Sequence, residues 1–104
     1  MRMGIPEQFK DYDCREYFDS DKFTRGHYDD RSRCWTFYAA TDVRKYSELK
    51  FLAVGRPGVG GLEWGYRKGL PGLWVFYPVE QRFVLLAPTL AELFEGWYSQ
   101  CITV

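Results

Sequence analysis

The side chains that could perform nucleophilic catalysis are few and lie far apart in this sequence. The chain has one histidine, His27, and three cysteines, Cys14, Cys34 and Cys101. A Cys–His pair needs a third group that orients the base, and neither Cys14 nor Cys34 lies in a recognisable nucleophile motif. The serine pattern G-x-S-x-G is also absent. We therefore predict that the protein is not an enzyme and has no catalytic residues.

Carboxylates could act as acid–base catalysts or metal ligands, but their pattern favours neither. Asp29 and Asp30 beside His27 form the one candidate cluster, whereas a metal site needs several such ligands together. The remaining candidates, Glu63 and Glu80, stand in no pattern that would raise a carboxyl pKa for proton transfer. We expect a solvated loop at 27–30, and we predict no metal and no cofactor.

The glycine-rich stretch at 55–61 is the segment that most resembles a phosphate-binding loop. It lacks the G-K-[ST] ending, does not match G-x-G-x-x-G, and leads into a strand, so no helix N-terminus would receive a phosphate. A tight hairpin turn, in which glycines adopt positive φ, explains the composition better.

Aromatic and basic residues on two neighbouring predicted strands are the remaining functional signal. They are Trp64, Tyr66, Trp74, Phe76 and Tyr77, with Arg56, Arg67 and Lys68 beside them. Three interpretations stay open: an ordinary core, a surface for a protein partner rich in the aromatic and Arg side chains that dominate interfaces, or a stacking platform for single-stranded nucleic acid. Residues 51–104 carry four basic and four acidic residues, so nucleic acid is the weakest candidate partner.

Short apolar runs bounded by Gly and Pro predict an antiparallel sheet of four to five strands. The runs are 34–40, 51–54, 62–67, 73–77 and 83–87, the last apolar on both faces and therefore expected at the sheet centre. Alternation places Trp64 and Tyr66 on one face and Glu63 and Arg67 on the other. A polar stretch at 41–49 is expected to be a helical turn or a loop.

The clearest element is a C-terminal helix that starts at Thr89. Glu92 completes a capping box with Thr89, and an apolar stripe at helical spacing follows. Gly96 inside the helix is expected to allow close approach to a strand. Together with the strands, this predicts an α+β fold in which the helix packs on the sheet.

Residues 1–33 differ from the rest in their eight acidic and seven basic side chains. The interleaved signs favour a solvated, poorly ordered arm, with a short helix at 13–18 and loops at 19–21 and 25–33; a partner-binding segment is the alternative. At 104 residues the chain is expected to form a single domain, with 1–33 as a charged N-terminal segment and 34–104 as sheet plus helix.

The composition limits the cellular compartments in which the protein is expected and the classes of partner that it is expected to bind. The net charge is zero, the cysteine number is odd without a C-x-x-C, and no apolar run approaches the roughly 20 residues that span a bilayer. These features predict a protein of a reducing cytoplasm that does not insert into membranes.

The order of blocks over about residues 34–104 resembles the SUKH superfamily, which includes bacterial immunity proteins and relatives of the yeast cell-wall assembly regulator. The residues that carry the resemblance are Phe51-Leu-Ala-Val-Gly-Arg-Pro-Gly-Val-Gly-Gly-Leu-Glu-Trp-Gly-Tyr-Arg-Lys-Gly69, Gly72-Leu-Trp-Val-Phe-Tyr-Pro78 and Phe83-Val-Leu-Leu-Ala-Pro-Thr-Leu-Ala-Glu-Leu-Phe-Glu-Gly-Trp97. The resemblance implies an α+β fold and a non-enzymatic role, because many bacterial members are cytoplasmic antidotes that block a toxin, often a nuclease, and others are regulatory or scaffold modules.

The function we predict is therefore that of an interaction protein similar to an immunity protein, which binds and neutralises a toxin. A second copy of the chain, in a homodimer, is a further candidate partner. The alternative is a regulatory module that binds a small molecule or nucleic acid on the aromatic sheet face. From their chemistry, the predicted partner-binding residues are Asp29, Asp30, Arg56, Glu63, Trp64, Arg67, Trp74 and Glu80.

Overall fold

The computed structural model describes residues 5–31 and 33–104 and confirms the predicted α+β class. The helices are α1 (Arg15–Phe18), α2 (Asp21–Thr24) and α3 (Leu90–Tyr98), with 3₁₀ turns at Glu7–Phe9 and Ala40–Asp42. The strands are β1 (His27–Asp29), β2 (Cys34–Phe37), β3 (Arg44–Tyr46), β4 (Phe51–Gly55), β5 (Glu63–Arg67), β6 (Leu73–Tyr77) and β7 (Arg82–Ala87). No helix in this described part of the chain is long and apolar enough to cross a membrane.

The strands form two antiparallel sheets. Strands β1 and β2 pair with each other, and β3 to β7 form a five-stranded meander in chain order. Short turns connect β4 to β7, so each strand lies beside its sequence neighbour, as the Gly- and Pro-bounded runs predict. Gly58 in the β4–β5 turn has φ +84°, which confirms the expectation that glycines supply positive φ there.

The two faces of the five-stranded sheet have different surroundings. On the covered face, Leu52, Trp64 and Val75 are fully buried in the main core, which also includes Leu90 and Leu93 of α3. The opposite face carries a smaller cluster built around Phe51, to which no helical residue of the described chain contributes. We call this second side, with Tyr46, Phe51, Glu63, Arg67, Trp74, Phe76 and Phe83, the uncovered face.

The prediction of a poorly ordered N-terminal arm is wrong for the residues that the structure describes. Segment 5–31 supplies much of the main core through Phe9, Tyr12, Cys14, Tyr17, Phe18 and Phe23. The expected helix at 13–18 is present as α1, but the expected loops at 19–21 and 25–33 overlap α2 and β1. The charges lie on the solvent side of these short elements, while the aromatics between them are buried.

The larger sheet has five strands, as predicted, but the identity and order of two strands differ from the prediction. Strand β2 in the 34–40 run pairs with β1 rather than joining the main sheet, and the fifth strand is β3, from the stretch expected to be a turn or loop. Strand β7 is an edge strand, not a central one. Its second apolar face includes Leu85, which is 52% exposed.

The helix α3 starts as predicted, with Thr89 accepting a hydrogen bond from the Glu92 N–H at 3.1 Å. The first two N–H groups of the helix, those of Leu90 and Ala91, donate to the carboxylate of Glu16 in α1, which ties the N-terminal segment to α3. The expectation that Gly96 lets α3 approach a strand closely is wrong. A Cβ there would lie 2.4 Å from Ile102, so the glycine admits the C-terminal tail rather than a strand.

Candidate partner-binding face

The uncovered face is concave, because side chains from distant strands meet on it. The ring centroid of Phe51 on β4 lies 5.2 Å from that of Phe83 on β7, although two strands separate them. Strands in a flat sheet are spaced by about 4.8 Å, which would keep these rings roughly a dozen ångströms apart. The sheet must therefore curl toward this side, and its aromatic side chains converge.

Arg67 lies over two of these aromatic rings. Its guanidinium carbon is 4.7 Å from the centroid of the Trp74 ring and 4.3 Å from that of Phe83. All three side chains are partly exposed. Stacking on rings holds the cation in place at low conformational freedom while its edge N–H groups remain available to a partner.

A second polar feature of the same face is a carboxylate held by two tyrosines. Tyr38 donates to Glu63 Oε2 at 2.7 Å, and Tyr46 donates to Oε1 at 2.5 Å. Burial, followed by the hydrogen bond to Glu63, raises the pKa of both phenols, so they stay protonated donors at neutral pH. A hydrogen bond to Tyr46, with the nearby Glu63 charge, raises the pKa of Arg44.

The face ends in a small pocket of about 280 Å³ beside this network. Trp35, Tyr38, Asp42, Arg44 and Arg56 line it. Trp35 is 44% exposed and packs edge-on against the exposed ring of Tyr28, 5.4 Å away between centroids. The pocket thus joins exposed aromatic surface to two guanidinium groups.

Four of the eight predicted partner-binding residues meet in this region. Glu63, Arg67 and Trp74 lie on the uncovered face, and Arg56 lines the pocket at its end. Two of the others, Asp29 and Asp30, lie on the β1–β2 hairpin, and Glu80 lies in the exposed β6–β7 turn. The acidic side chains of the predicted set, including Glu63, are therefore distributed over three separate elements.

Trp64 must be removed from the predicted interface. Its side chain is fully buried on the covered face, where the indole N–H donates to the Thr36 carbonyl oxygen at 2.8 Å. The ring also packs edge-on against Trp97, with centroids 5.1 Å apart. The alternation of β5 already placed this residue opposite Glu63 and Arg67, so one strand could not present all three to a partner.

Three residues of the face and of the pocket at its end were missed by the sequence reasoning: Tyr46, Tyr38 and Arg44. Tyr38 follows β2, and the other two belong to the edge strand β3, which has a mostly polar sequence. The signal that was available is the alternation of β5, which places Glu63 on the face opposite Trp64. A half-buried carboxylate requires donors, and tyrosine hydroxyls from other elements can supply them.

A larger groove of about 510 Å³ lies elsewhere, between the β1–β2 hairpin and the end of α3. Asp29, Arg31, Trp97, Tyr98 and Ile102 contribute to its lining. Its wall is tied together by Tyr98, whose hydroxyl is 2.9 Å from Thr36 Oγ1. The groove brings one predicted residue, Asp29, beside apolar surface, but none of the other predicted partner-binding residues lines it.

His27 and Cys14, two of the groups considered for catalysis, are packed within the fold, whereas Cys101 is exposed. The ring of His27 contacts Phe94 and Tyr98 with centroids 5.3 and 5.4 Å apart. Burial raises the pKa of the Cys14 thiol to about 11, so it is protonated at neutral pH. Among residues 5–31 and 33–104, no group of three or more His, Cys, Asp or Glu side chains is placed to hold a metal ion.

Comparison with known proteins adds no relative: the chain matches no protein-family model, no curated protein and no solved structure. The SUKH resemblance accordingly stays a prediction from the sequence blocks.

Proposed function

We propose that this chain is a non-enzymatic interaction domain that binds a protein partner through the uncovered face. The observation that carries the proposal is the arrangement of Arg67 between Trp74 and Phe83 on a concave sheet face that no described helix covers. The opposite face of the same sheet is occupied by α3 and the N-terminal segment. One face thus forms the main core of the domain and the other is available to a partner.

The side-chain chemistry of the face supports a protein partner. Trp, Tyr and Arg are the residue types that contribute most binding free energy at interfaces, especially where they cluster in a preformed concave site. Here Trp74, Arg67, Trp35 and Arg56 supply such groups along one continuous surface. Stacked and hydrogen-bonded side chains lose little conformational entropy on binding, which lowers the cost of association.

The alternative of a nucleic-acid stacking platform has less support from the same geometry. Base stacking needs accessible ring faces. The guanidinium of Arg67 already lies over the rings of Trp74 and Phe83, and the rings of Phe76 and Phe83 pack on each other with centroids 4.8 Å apart. A partner therefore meets Arg and ring edges rather than a row of free ring faces.

The SUKH resemblance supports a specific version of the proposal. In that version the chain is a cytoplasmic immunity protein, its partner is a toxin, and binding blocks the toxin's active site. A second copy of the chain is the other occupant to consider, since a homodimer would bury the same aromatic surface.

Photo-crosslinking from the uncovered face tests the proposal. A benzophenone amino acid in place of Trp74 should give one discrete crosslinked product in the source cell, identified by mass spectrometry. The matched control carries the same amino acid at Val79, which is 89% exposed in the β6–β7 turn but not on the face. This control should give no discrete product.

The mass of the product separates the candidate occupants. A product of twice the 12.3 kDa chain mass would identify a homodimer, and a heterologous protein with toxin activity would identify the immunity role. A nucleic-acid adduct would establish the alternative function. Equal crosslinking from positions 74 and 79 would contradict a specific surface on the uncovered face.

A further inference from the structure

The pocket at the end of the uncovered face has the features of an anion site. Its lining includes two arginine side chains, Arg44 from the start of β3 and Arg56 from the segment that follows β4. Both charges act on the phenol of Tyr38, which also lines the pocket. Burial and Glu63 raise the pKa of this phenol, and the two arginines oppose that increase with a smaller lowering effect. The two guanidinium groups therefore lie near one point of the surface.

The positive charge of the pocket is only partly balanced. Asp42 also lines it, and Glu63 lies behind Tyr38, where two phenol hydrogen bonds already engage its carboxylate. The ion pairs in the described part of the chain join lysines to Glu7 and Asp11, at other places on the surface. Arg44 and Arg56 thus lack a carboxylate oxygen within ion-pair distance among the described residues.

We propose that this pocket binds a carboxylate of the protein partner, the side chain of a glutamate or aspartate, between Arg44 and Arg56. The inference rests on the proposed function and names the chemistry that the partner presents. Arginine's planar donors match a carboxylate in a two-bond geometry that lysine cannot reproduce. The ring of Trp35, 44% exposed at the pocket wall, then covers the methylene groups of the acidic side chain.

The location of the pocket agrees with this assignment. It continues the uncovered face through Tyr38, which contacts both the pocket and the Glu63 network. Arg44 lies over the Tyr38 ring, with its guanidinium carbon 5.8 Å from the centroid. A partner seated on Arg67 and Trp74 would reach the pocket with a neighbouring acidic residue.

An NMR titration tests the pocket without the partner. The ¹⁵N-labelled chain is titrated at fixed ionic strength with N-acetyl-glutamate N-methylamide, and separately with the glutamine analogue, which has the same shape and no charge. The glutamate probe should shift the Trp35 indole N–H and the Arg56 side-chain signals. It should bind about 25-fold more tightly than the glutamine probe, because two ion-pair contacts worth about fivefold each depend on its charge.

Variants locate the binding site. Arg56→Gln and Arg44→Gln should each weaken the glutamate probe about fivefold, by the loss of one such contact. Arg82→Gln, which removes an arginine on the opposite face of the sheet, should leave it unchanged. Equal affinity for the two probes, no shift with either, or equal losses in Arg56→Gln and Arg82→Gln would overturn the assignment. Failure of the crosslinking experiment with a positive titration would instead reject the partner proposal alone.

Discussion

Two tryptophans on neighbouring strands give the sharpest test of how the faces of the sheet differ. Trp64 on β5 and Trp74 on β6 each donate an indole N–H to a backbone carbonyl, at 2.8 Å to Thr36 and 3.0 Å to Pro71. The Trp64 bond is fully buried, whereas the Trp74 bond is exposed. The same substitution, Trp→Phe, therefore removes the same kind of bond in two different environments.

The structure allows the loss of unfolding free energy to be estimated for each variant. In Trp64→Phe the buried Thr36 carbonyl loses its indole donor, which costs about 1–3 kcal/mol. The smaller ring also removes buried contacts with Phe37 and Trp97, worth about 1–2 kcal/mol. We expect a total loss of roughly 2–5 kcal/mol, a large part of the about 5–15 kcal/mol typical of such a domain. Trp74→Phe should cost under about 1 kcal/mol, because water replaces its partner.

Urea unfolding followed by far-UV circular dichroism measures both variants without depending on tryptophan fluorescence. Equal m-values would show that the two variants unfold from comparable native states. A Trp64→Phe loss no greater than that of Trp74→Phe would refute the assignment of the two indoles to a buried and an exposed face. Where Trp74→Phe folds normally, its effect on crosslinking or partner binding reports on the surface alone.

Three further outcomes follow from single contacts. Glu16→Ala should destabilise the chain by about 1–2 kcal/mol, because two N–H groups at the start of α3 lose their acceptor, and a thermal melt should show a lower Tm. Gly55→Ala should cost at least about 3 kcal/mol in urea unfolding, since its Cβ would lie 1.9 Å from the Thr36 oxygen. Gly61→Ala, whose Cβ would only make an ordinary contact with Pro78 at 3.8 Å, should change stability by under about 0.5 kcal/mol. Stability should fall as pH rises from about 8.5 toward 10, with a slope of up to about 1.4 kcal/mol per pH unit, because the Cys14 thiol ionises in the unfolded chain before it does so in the folded one. Cys14→Ala should flatten this part of the pH profile, and an unchanged slope would contradict a raised thiol pKa.

Local signals in the sequence were sufficient for the hairpins and the last helix. Glycine and proline bound β4 to β7, and Thr89 caps α3 through its own hydroxyl. These features depend on residues that are close in sequence, so their chemistry can be read directly from the chain.

Long-range contacts explain what the sequence did not reveal in the N-terminal segment. Tyr17 donates a hydrogen bond to the Tyr38 carbonyl, and the Gly69 N–H donates to the carbonyl of Asp11. The helices α1 and α2 have four residues each, too short for an apolar periodicity to emerge from the interleaved charges. Tertiary packing, rather than local propensity, orders this segment.

The prediction of the two edge strands, β3 and β7, was wrong for a related reason. Strand β3 is short, with Arg44 and Lys45 exposed, which are features of a protected sheet edge and leave no apolar pattern. Strand β7 is apolar on both sides because Phe83 packs into the cluster of the uncovered face. An apolar run alone does not distinguish that arrangement from a central strand.

The residues of the candidate site could be predicted only where the alternation of side chains along a strand determined which face they lie on. The period of β5 placed Glu63 and Arg67 on the face opposite Trp64 and Tyr66, and the structure confirms that arrangement. The acidic set that included Asp29 and Glu80 was chosen by residue type, and the structure does not bring it together. The tyrosines that hold Glu63 come from elements whose pairing could not be deduced from local sequence.

The central claim is that partners bind the uncovered face, and one affinity measurement tests it most directly. Arg67 and Arg82 both lie over aromatic rings, but Arg67 is on the uncovered face and Arg82 pairs with Tyr77 on the opposite face. With the crosslinked partner purified, isothermal titration calorimetry should show that Arg67→Gln raises Kd about tenfold or more, as an interface hot spot does, while Arg82→Gln changes it less than about twofold. An Arg82→Gln effect equal to or larger than that of Arg67→Gln would contradict the account.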